Sequence, residues 1–167
     1  MRKTIWFDMD GTLYDLYKIP GWLEMLESGH WSQAFNSPGR ARAHIDRINA
    51  AIEALWANGW TVGVITWAPK GVEDSRVLER IGNIKLGWLM ENVPALGCNE
   101  LAPFLCVRYG EDKAGVLHRS GFRGDINYLV DDNKEVRKSW RKWDSDYEFR
   151  TINASRSYVR ELEGLVM

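Results

Sequence analysis

The chain alternates between short apolar runs and longer segments whose apolar residues recur three or four positions apart. The short runs are rich in β-branched residues and predict strands at residues 4–8, 60–66, 103–108, 126–130 and 147–152. The longer segments predict helices over residues 41–58, 72–92, 133–143 and 156–165, with a shorter helix that contains Lys113. This alternation predicts an α/β fold, a three-layer, Rossmann-like, doubly wound domain in which helices cover both faces of a mainly parallel sheet.

The segment after the first strand does not follow this alternation. Pro20, Gly21, Gly29 and Pro38 make residues 15–39 too irregular for one regular element, yet the segment is too apolar for a disordered linker. We therefore expect a small helical cap there. It would be inserted into a single domain whose core consists of about residues 1–14 and 40–167.

Two glycines are expected to affect the helices. Gly59 follows the helix predicted over residues 41–58 and suits the left-handed position at which many helices end. Gly82 lies inside the segment 72–92 and indicates a possible break, because glycine weakens a helix interior.

Composition and charge restrict the classes of function. The 167 residues suit one domain, and 22 Lys and Arg against 23 Asp and Glu give a net charge of −1. This balance provides no overall basic field for nucleic acid. Cys98 and Cys106 lie in mostly apolar surroundings without C-x-x-C spacing, so we expect reduced, buried thiols. Since the sequence has neither an apolar signal core nor a membrane-spanning run, we expect a soluble, cytoplasmic protein with no membrane partner.

The strongest chemical signal is the sequence D-x-D-G-T at the end of the first strand. Asp8 and Asp10 follow an apolar run and lead directly into Gly11 and Thr12. Two carboxylates at the carboxyl end of a buried strand can converge on one hard cation, in the crevice where open α/β sheets bind ligands. The alternative is an Asp-rich turn that serves only the backbone.

Further polar residues follow the later strands. Thr66 ends the second strand, Asp131 and Asp132 follow the fourth, and Lys113 lies where a loop enters the intervening helix. Because the carboxyl ends of parallel strands open on one edge, these side chains should be neighbours. Together they provide what phosphoryl transfer needs, a nucleophile and charges that stabilise the phosphate. Singly, each has a structural alternative as a strand former, a helix cap or a solvated lysine.

The order D-x-D-G-T, Thr, Lys and D-D resembles the motifs of the haloacid dehalogenase-like (HAD) superfamily of aspartyl-phosphate hydrolases over nearly the whole chain. The resemblance implies that Asp8 is the nucleophile. It implies that Asp10 protonates the leaving group and then activates water. Thr66 would bind a phosphate oxygen, and Lys113 would bridge the nucleophile and the phosphate.

The same resemblance implies a Mg²⁺ cofactor. Its ligands would be Asp131, the Asp8 carboxylate and the Asp10 backbone carbonyl, while Asp132 would act through water or orient Lys113. A hard cation allows a phosphate dianion to approach a carboxylate cluster, and oxygen ligands suit Mg²⁺.

A closer resemblance involves the 5′(3′)-deoxyribonucleotidases, which remove phosphate from nucleoside monophosphates. It depends on the order and spacing of four segments, residues 65–70, 85–89, 111–113 and 129–133. Those enzymes carry a small helical cap whose aromatic side chains stack on the base, and this part of the chain contains Trp22, Trp31 and Phe35. The chain departs from them after Gly11, where it has Thr12 and the nucleotidases commonly have Val or Ile.

The tryptophans fall into two groups. Five are expected to pack in or beside helices, namely Trp56, Trp60, Trp88, Trp140 and Trp143. Trp22, Trp31 and Trp67 lie near turns or a strand end, and with Thr12 they are the candidate substrate-binding residues. Packing is the alternative for each of the three.

Two other classes of function stay open. A two-component receiver domain uses similar residues around Mg²⁺, but it has the acidic pair first and the lysine last, unlike this chain. A 3′-phosphatase acting on nucleic-acid ends would need a basic strip, for which the candidates are Arg119, Arg123, Arg137, Lys138, Arg141 and Lys142. The prediction is a Mg²⁺-dependent phosphomonoesterase for a nucleoside monophosphate or similar small ester, and nucleic acid is not the expected partner.

Overall fold

The computed structural model describes residues 1–143 and 146–167. The described residues form a five-stranded sheet in the order β3-β2-β1-β4-β5, and every pair of neighbours is parallel. The strands are β1 (Lys3–Phe7), β2 (Thr61–Trp67), β3 (Phe104–Val107), β4 (Ile126–Asp131) and β5 (Glu148–Asn153). The chain runs outward from β1 through β2 to β3 and then crosses to β4 on the other side of β1. The strand order therefore reverses between β1 and β4, where a crevice opens at the carboxyl ends of the strands.

Helices cover both faces of the sheet. The helices that follow the segment inserted after β1 are α3 (Ile45–Ala57), α4 (Ser75–Asn92), α5 (Pro94–Gly97), α6 (Lys113–Ser120), α7 (Lys134–Arg141) and α8 (Val159–Glu163). Alternate residues of β1 point to opposite layers, since Ile5 and Phe7 belong to one apolar cluster and Trp6 to another. The predicted three-layer, doubly wound α/β fold is confirmed.

Side-chain caps determine where three of these helices begin. Asp74 accepts hydrogen bonds from two backbone amides at the start of α4, Asn133 does the same for α7, and Asp112 accepts one from Gly115 in α6. Gly59 follows α3 in the left-handed region, with φ of 77°, as the sequence predicted.

Two expectations from the sequence were wrong. Gly82 does not break a helix, because α4 runs through it without interruption. A Cβ at Gly82 would lie 3.4 Å from the Cβ of Cys106, so the glycine instead allows α4 to lie close to β3. Both cysteines are free, but Cys98 is exposed and Cys106 only partly buried, whereas both were expected to be buried.

The segment between β1 and α3 contains a 3₁₀ turn (Leu16–Lys18) and two short helices, α1 (Trp22–Glu27) and α2 (Trp31–Phe35). The buried Tyr14 hydroxyl donates a hydrogen bond to the Ala34 carbonyl at 2.6 Å and accepts one from the Ser37 amide at 3.1 Å. These bonds attach the segment to the loop after β1. None of the described helices is both long and apolar enough to cross a membrane.

Candidate active site

The carboxyl ends of β1 and β4 bring three acids together. Asp8 follows β1, Asp131 ends β4, and the Asp8 amide donates a hydrogen bond of 2.9 Å to the Val130 carbonyl. Asp8, Asp131 and Asp132 each offer a carboxylate oxygen, and these oxygens lie within 4.8 Å of one another. Asp8 and Asp131 are buried, whereas Asp132 is partly exposed.

The loop after β1 is shaped by a glycine. The Met9 carbonyl accepts hydrogen bonds from the amides of Thr12 and the two residues that follow it, which closes a tight turn. Gly11 within this turn has φ of 80°, and a Cβ there would lie 2.4 Å from Oδ2 of Asp132. Glycine is therefore required both for the backbone conformation and for the close approach of Asp132.

Lys113 balances part of the acidic charge. Because Asp112 caps α6, Lys113 is the first residue of that helix, with its side chain directed at the strand ends. Its Nζ donates to Oδ1 of Asp8 at 2.8 Å and to Oδ2 of Asp131 at 2.7 Å. Burial alone would lower the pKa of Lys113, but the charges and hydrogen bonds of the two carboxylates outweigh burial and raise that pKa. The ammonium therefore stays charged.

The acids nevertheless exceed their counterions. Burial, reinforced by the neighbouring charge of Asp8, raises the pKa of Asp131 to about 6, although Lys113 opposes the shift. Burial, together with Asp8 and Asp131, raises the pKa of Asp132 to about 7. In the described residues, the three carboxylates of this cluster face a single ammonium group, that of Lys113. An oxygen-only cluster with excess negative charge fits a hard divalent cation.

Asp10 lies on the other side of the same loop and pairs with Lys85, a residue of α4. Nζ of Lys85 donates to Oδ2 of Asp10 at 2.7 Å, to the Trp67 carbonyl at 2.9 Å and to Oγ1 of Thr66 at 3.1 Å. Burial raises the pKa of Asp10, and the Lys85 charge opposes that shift. Sequence reasoning assigned no role to Lys85. Its place in the helical pattern could have indicated that Lys85 is buried, because it shares one helical face with Ile81 and with the apolar residues 88 and 89.

The two predicted threonines are fully buried. The Thr66 hydroxyl accepts a hydrogen bond from Lys85. Neither the Thr66 side chain nor that of Thr12 lines the cavity described below. The Thr12 carbonyl accepts a hydrogen bond of 2.9 Å from the Tyr158 hydroxyl, and its Oγ1 has no hydrogen-bond partner among the described residues. The structure thus places Thr12 inside the turn.

A cavity of about 410 Å³ opens over the acids. The segment between β1 and α3 supplies one apolar wall, consisting of Leu16, Tyr17, Trp22, Leu23, Leu26 and Phe35. The opposite wall contains Trp67 and Tyr109, whose ring centroids are 5.0 Å apart. Trp31 is not a lining residue and packs against the core instead. Of the three tryptophans predicted to contact a substrate, the structure brings two to the cavity.

Three arginines of the predicted basic strip are buried or engaged in contacts with neighbouring residues, so they offer less positive charge to a ligand than the composition suggests. Arg137 is buried and donates a hydrogen bond of 2.7 Å to the backbone carbonyl of Asp131. Arg137 therefore holds the backbone of Asp131, one member of the acidic cluster. Sequence reasoning missed this contact. Arg123 stacks on the Tyr147 ring, and Arg141 donates a hydrogen bond to the Thr151 hydroxyl.

Comparison with known proteins supports the fold. No family model and no curated protein matches the sequence. Among solved structures, the HAD domain of effector protein Lem4 from Legionella pneumophila is similar, with a TM-score of 0.57 and 9% sequence identity. The match covers 99% of this chain and 94% of that one. At this level of identity the likeness shows that the chain has the fold of a HAD domain, and it does not extend to the nucleotidase subgroup.

Proposed function

We propose that this protein is a Mg²⁺-dependent phosphomonoesterase that works through a phosphorylated Asp8. The observation that supports this most directly is the surroundings of Asp8. Its carboxylate contacts Lys113 at 2.8 Å, belongs to the cluster with Asp131 and Asp132, and lines a cavity large enough for a small ligand.

The side chains can divide the reaction between them. A carboxylate oxygen of Asp8 forms a bond to phosphorus while the bond from phosphorus to the leaving oxygen breaks, and Asp10 gives its proton to that oxygen. In the second step the water oxygen bonds to phosphorus while the bond from phosphorus to the Asp8 oxygen breaks, Asp10 takes a proton from the water, and phosphate leaves with Asp8 again a free carboxylate. Lys113 limits repulsion between Asp8 and the phosphate oxygens.

Asp8, Asp131 and Asp132, with the Asp10 backbone carbonyl, are the residues that would hold Mg²⁺. When bound, this ion would neutralise negative charge shared between the phosphate and the carboxylates. The fit rests on the oxygen-only donor set and on carboxylate oxygens that lie within 4.8 Å of one another.

The aromatic residues of the cavity wall suit a substrate with a planar organic group. We propose that residues 15–39 act as a cap and that Trp22 and Trp67 contact the leaving group, which fits a nucleoside monophosphate or a similar small ester. The residues around the cavity include Glu27 as well as Lys70, and Arg137 is buried. The protein surface around the cavity therefore offers a nucleic-acid strand little positive charge.

A phosphate-release screen tests the proposal. Nucleoside monophosphates, sugar phosphates and 3′-phosphorylated oligonucleotides are each incubated with the protein in Mg²⁺ and in EDTA. We expect release from nucleoside monophosphates in Mg²⁺ and none in EDTA. Activity confined to oligonucleotide ends would contradict the small-ester substrate, and no release from any compound would contradict the enzyme.

Asp8→Asn provides the decisive variant for this screen. We expect kcat to fall by a factor of about 10⁴ or more with the fold intact, as removal of a nucleophile does in other enzymes. Asp46→Asn, at an exposed position in α3, is the matched control and should keep its activity. Near-normal turnover by Asp8→Asn would remove Asp8 from the nucleophile role.

A further inference from the structure

Lys85 is a buried charge with every donor used. Its side chain is 0% exposed, and its three N–H groups meet three acceptors, which are Oδ2 of Asp10, Oγ1 of Thr66 and the Trp67 carbonyl. The ammonium also lies 4.7 Å from the centre of the Phe35 ring, in α2. Burying an ammonium group is costly unless it is fully paired, so this arrangement holds all its partners in one geometry.

The contact with Asp10 restricts the carboxyl group. Oδ2 is held by Lys85 at 2.7 Å, whereas Oδ1 is buried without a hydrogen-bond partner among the described residues. Asp10 is also a lining residue of the cavity. Lys85 therefore fixes the position of Oδ2, while the Asp10 side chain forms part of the cavity wall.

The contact with Thr66 has a comparable effect. Its hydroxyl oxygen accepts from Lys85 at 3.1 Å, so the hydroxyl proton must point toward another group. Thr66 is fully buried and does not line the cavity, so this bond fixes the end of β2 and not a contact with substrate. The third bond, to the Trp67 carbonyl, holds the end of β2 beside the loop that carries Asp10.

We propose that Lys85 is a positioning residue, which orients Asp10 toward the leaving oxygen. This inference rests on the proposed phosphatase function. Lys85 does not line the cavity and so acts through Asp10 without touching the substrate. A purely structural role, attachment of α4 to the sheet, predicts instead that its removal affects all substrates alike.

Two substrates of similar shape separate these roles. The leaving group of 4-nitrophenyl phosphate departs as a stable anion, whereas that of phenyl phosphate resembles a tyrosine side chain, with a pKa of about 10, and needs a proton. The ratio of kcat/KM for phenyl phosphate to that for 4-nitrophenyl phosphate therefore reports how well Asp10 donates its proton.

Lys85→Met keeps an unbranched side chain that is slightly shorter and removes the charge. Because the loss of orientation outweighs the higher proton occupancy that Asp10 gains without the Lys85 charge, we expect this ratio to fall about tenfold or more, within the range that a general acid contributes. Ile81→Val is the matched control, because Ile81 is a buried residue of α4, and it should leave the ratio unchanged. In an Asp10→Asn background, Lys85→Met should change the ratio less than twofold, because the two residues act as one unit.

The outcomes distinguish this inference from the function on which it rests. An active wild-type protein whose ratio is unchanged in Lys85→Met, or changes equally in Ile81→Val, overturns the role of Lys85 alone. Failure of the wild-type protein to hydrolyse any monoester overturns the proposed function and this role with it. If circular dichroism shows that Lys85→Met does not fold, Lys85→Gln is put through the same comparison, with the same ratio deciding.

Discussion

At the scale of single residues, the site is a balance between buried acids and two buried lysines. Lys113 joins Asp8 and Asp131, while Lys85 joins Asp10 to the end of β2. Lys113 has two carboxylate partners and Lys85 has one, all within about 3 Å, which compensates for the loss of hydration of each ammonium. Removing one partner of such a pair leaves an uncompensated charge, so these residues affect stability as well as chemistry.

Lys113→Met tests this balance. Asp8 and Asp131 would lie side by side without their counterion, so in EDTA we expect the free energy of unfolding to fall by about 3 kcal/mol. Mg²⁺ should restore part of the loss because it neutralises the same carboxylates. Urea denaturation with and without Mg²⁺ measures both effects. Equal stability of the variant and the wild-type protein in EDTA would show that the pair contributes nothing.

At the scale of elements, the loop after β1 and the short helices that follow it determine the shape of the site. The loop needs the left-handed residue Gly11 to admit Asp132, and the helices bring Trp22 and Phe35 to the cavity. The D-G step could be recognised in the sequence as a turn. The collision that a Cβ would make with Asp132, 121 residues away, depends on the pairing of β1 with β4.

Gly11→Ala tests the close approach. The strained backbone should destabilise the fold by about 1–2 kcal/mol, and the Cβ should push Asp132 aside and weaken Mg²⁺ binding about tenfold. Gly59→Ala is the matched control, since Gly59 has φ of 77° but nothing within 4 Å of the added Cβ. It should show the loss of stability alone. Mg²⁺ titrations of activity, with thermal unfolding, distinguish the two effects.

Trp22→Ala and Trp31→Ala form a matched pair within the short helices. Trp22 lines the cavity, so its removal should raise KM for a substrate with a planar group about tenfold, the value of one aromatic stacking contact. Both side chains pack against the core, so either removal should lower stability by about 2 kcal/mol, but removal of Trp31, which does not line the cavity, should leave KM unchanged. Steady-state kinetics and urea denaturation measure both variants. The reverse pattern would place the substrate against Trp31.

At the scale of the whole molecule, the reversal of strand order between β1 and β4 decides where the site lies. Asp8 and Asp131 are far apart in the chain, yet the strands that carry them are hydrogen-bonded neighbours. The three-layer fold holds this edge rigidly between α4 on one face and α6 with α7 on the other. A ligand bound there therefore contacts both halves of the sheet and should stabilise the entire domain.

Removal of Mg²⁺ tests that coupling. At a concentration about 100 times Kd, Mg²⁺ should add about 2.7 kcal/mol to the stability, which raises Tm by about 5–10 °C relative to EDTA. Asp132→Asn should lose most of this shift, because it removes one carboxylate of the cluster without breaking the contacts of Lys113. Calorimetric scans in Mg²⁺, Ca²⁺ and EDTA measure the shift. A wild-type Tm that is the same in all three would contradict the metal site.

The sequence by itself determined the strands, the longer helices and the residues at the strand ends, because apolar periodicity and turn chemistry act over a few neighbouring positions. It also identified the acids, Thr66 and Lys113 as candidates, since parallel strand ends meet at one edge. Only the tertiary structure decided which polar groups are buried together. The pairing of Lys85 with Asp10, the placement of Arg137 beneath Asp131, and the separation of Trp31 from the cavity arise from contacts between distant segments. No local pattern specifies such contacts, because packing and desolvation depend on what the rest of the chain brings to the same place.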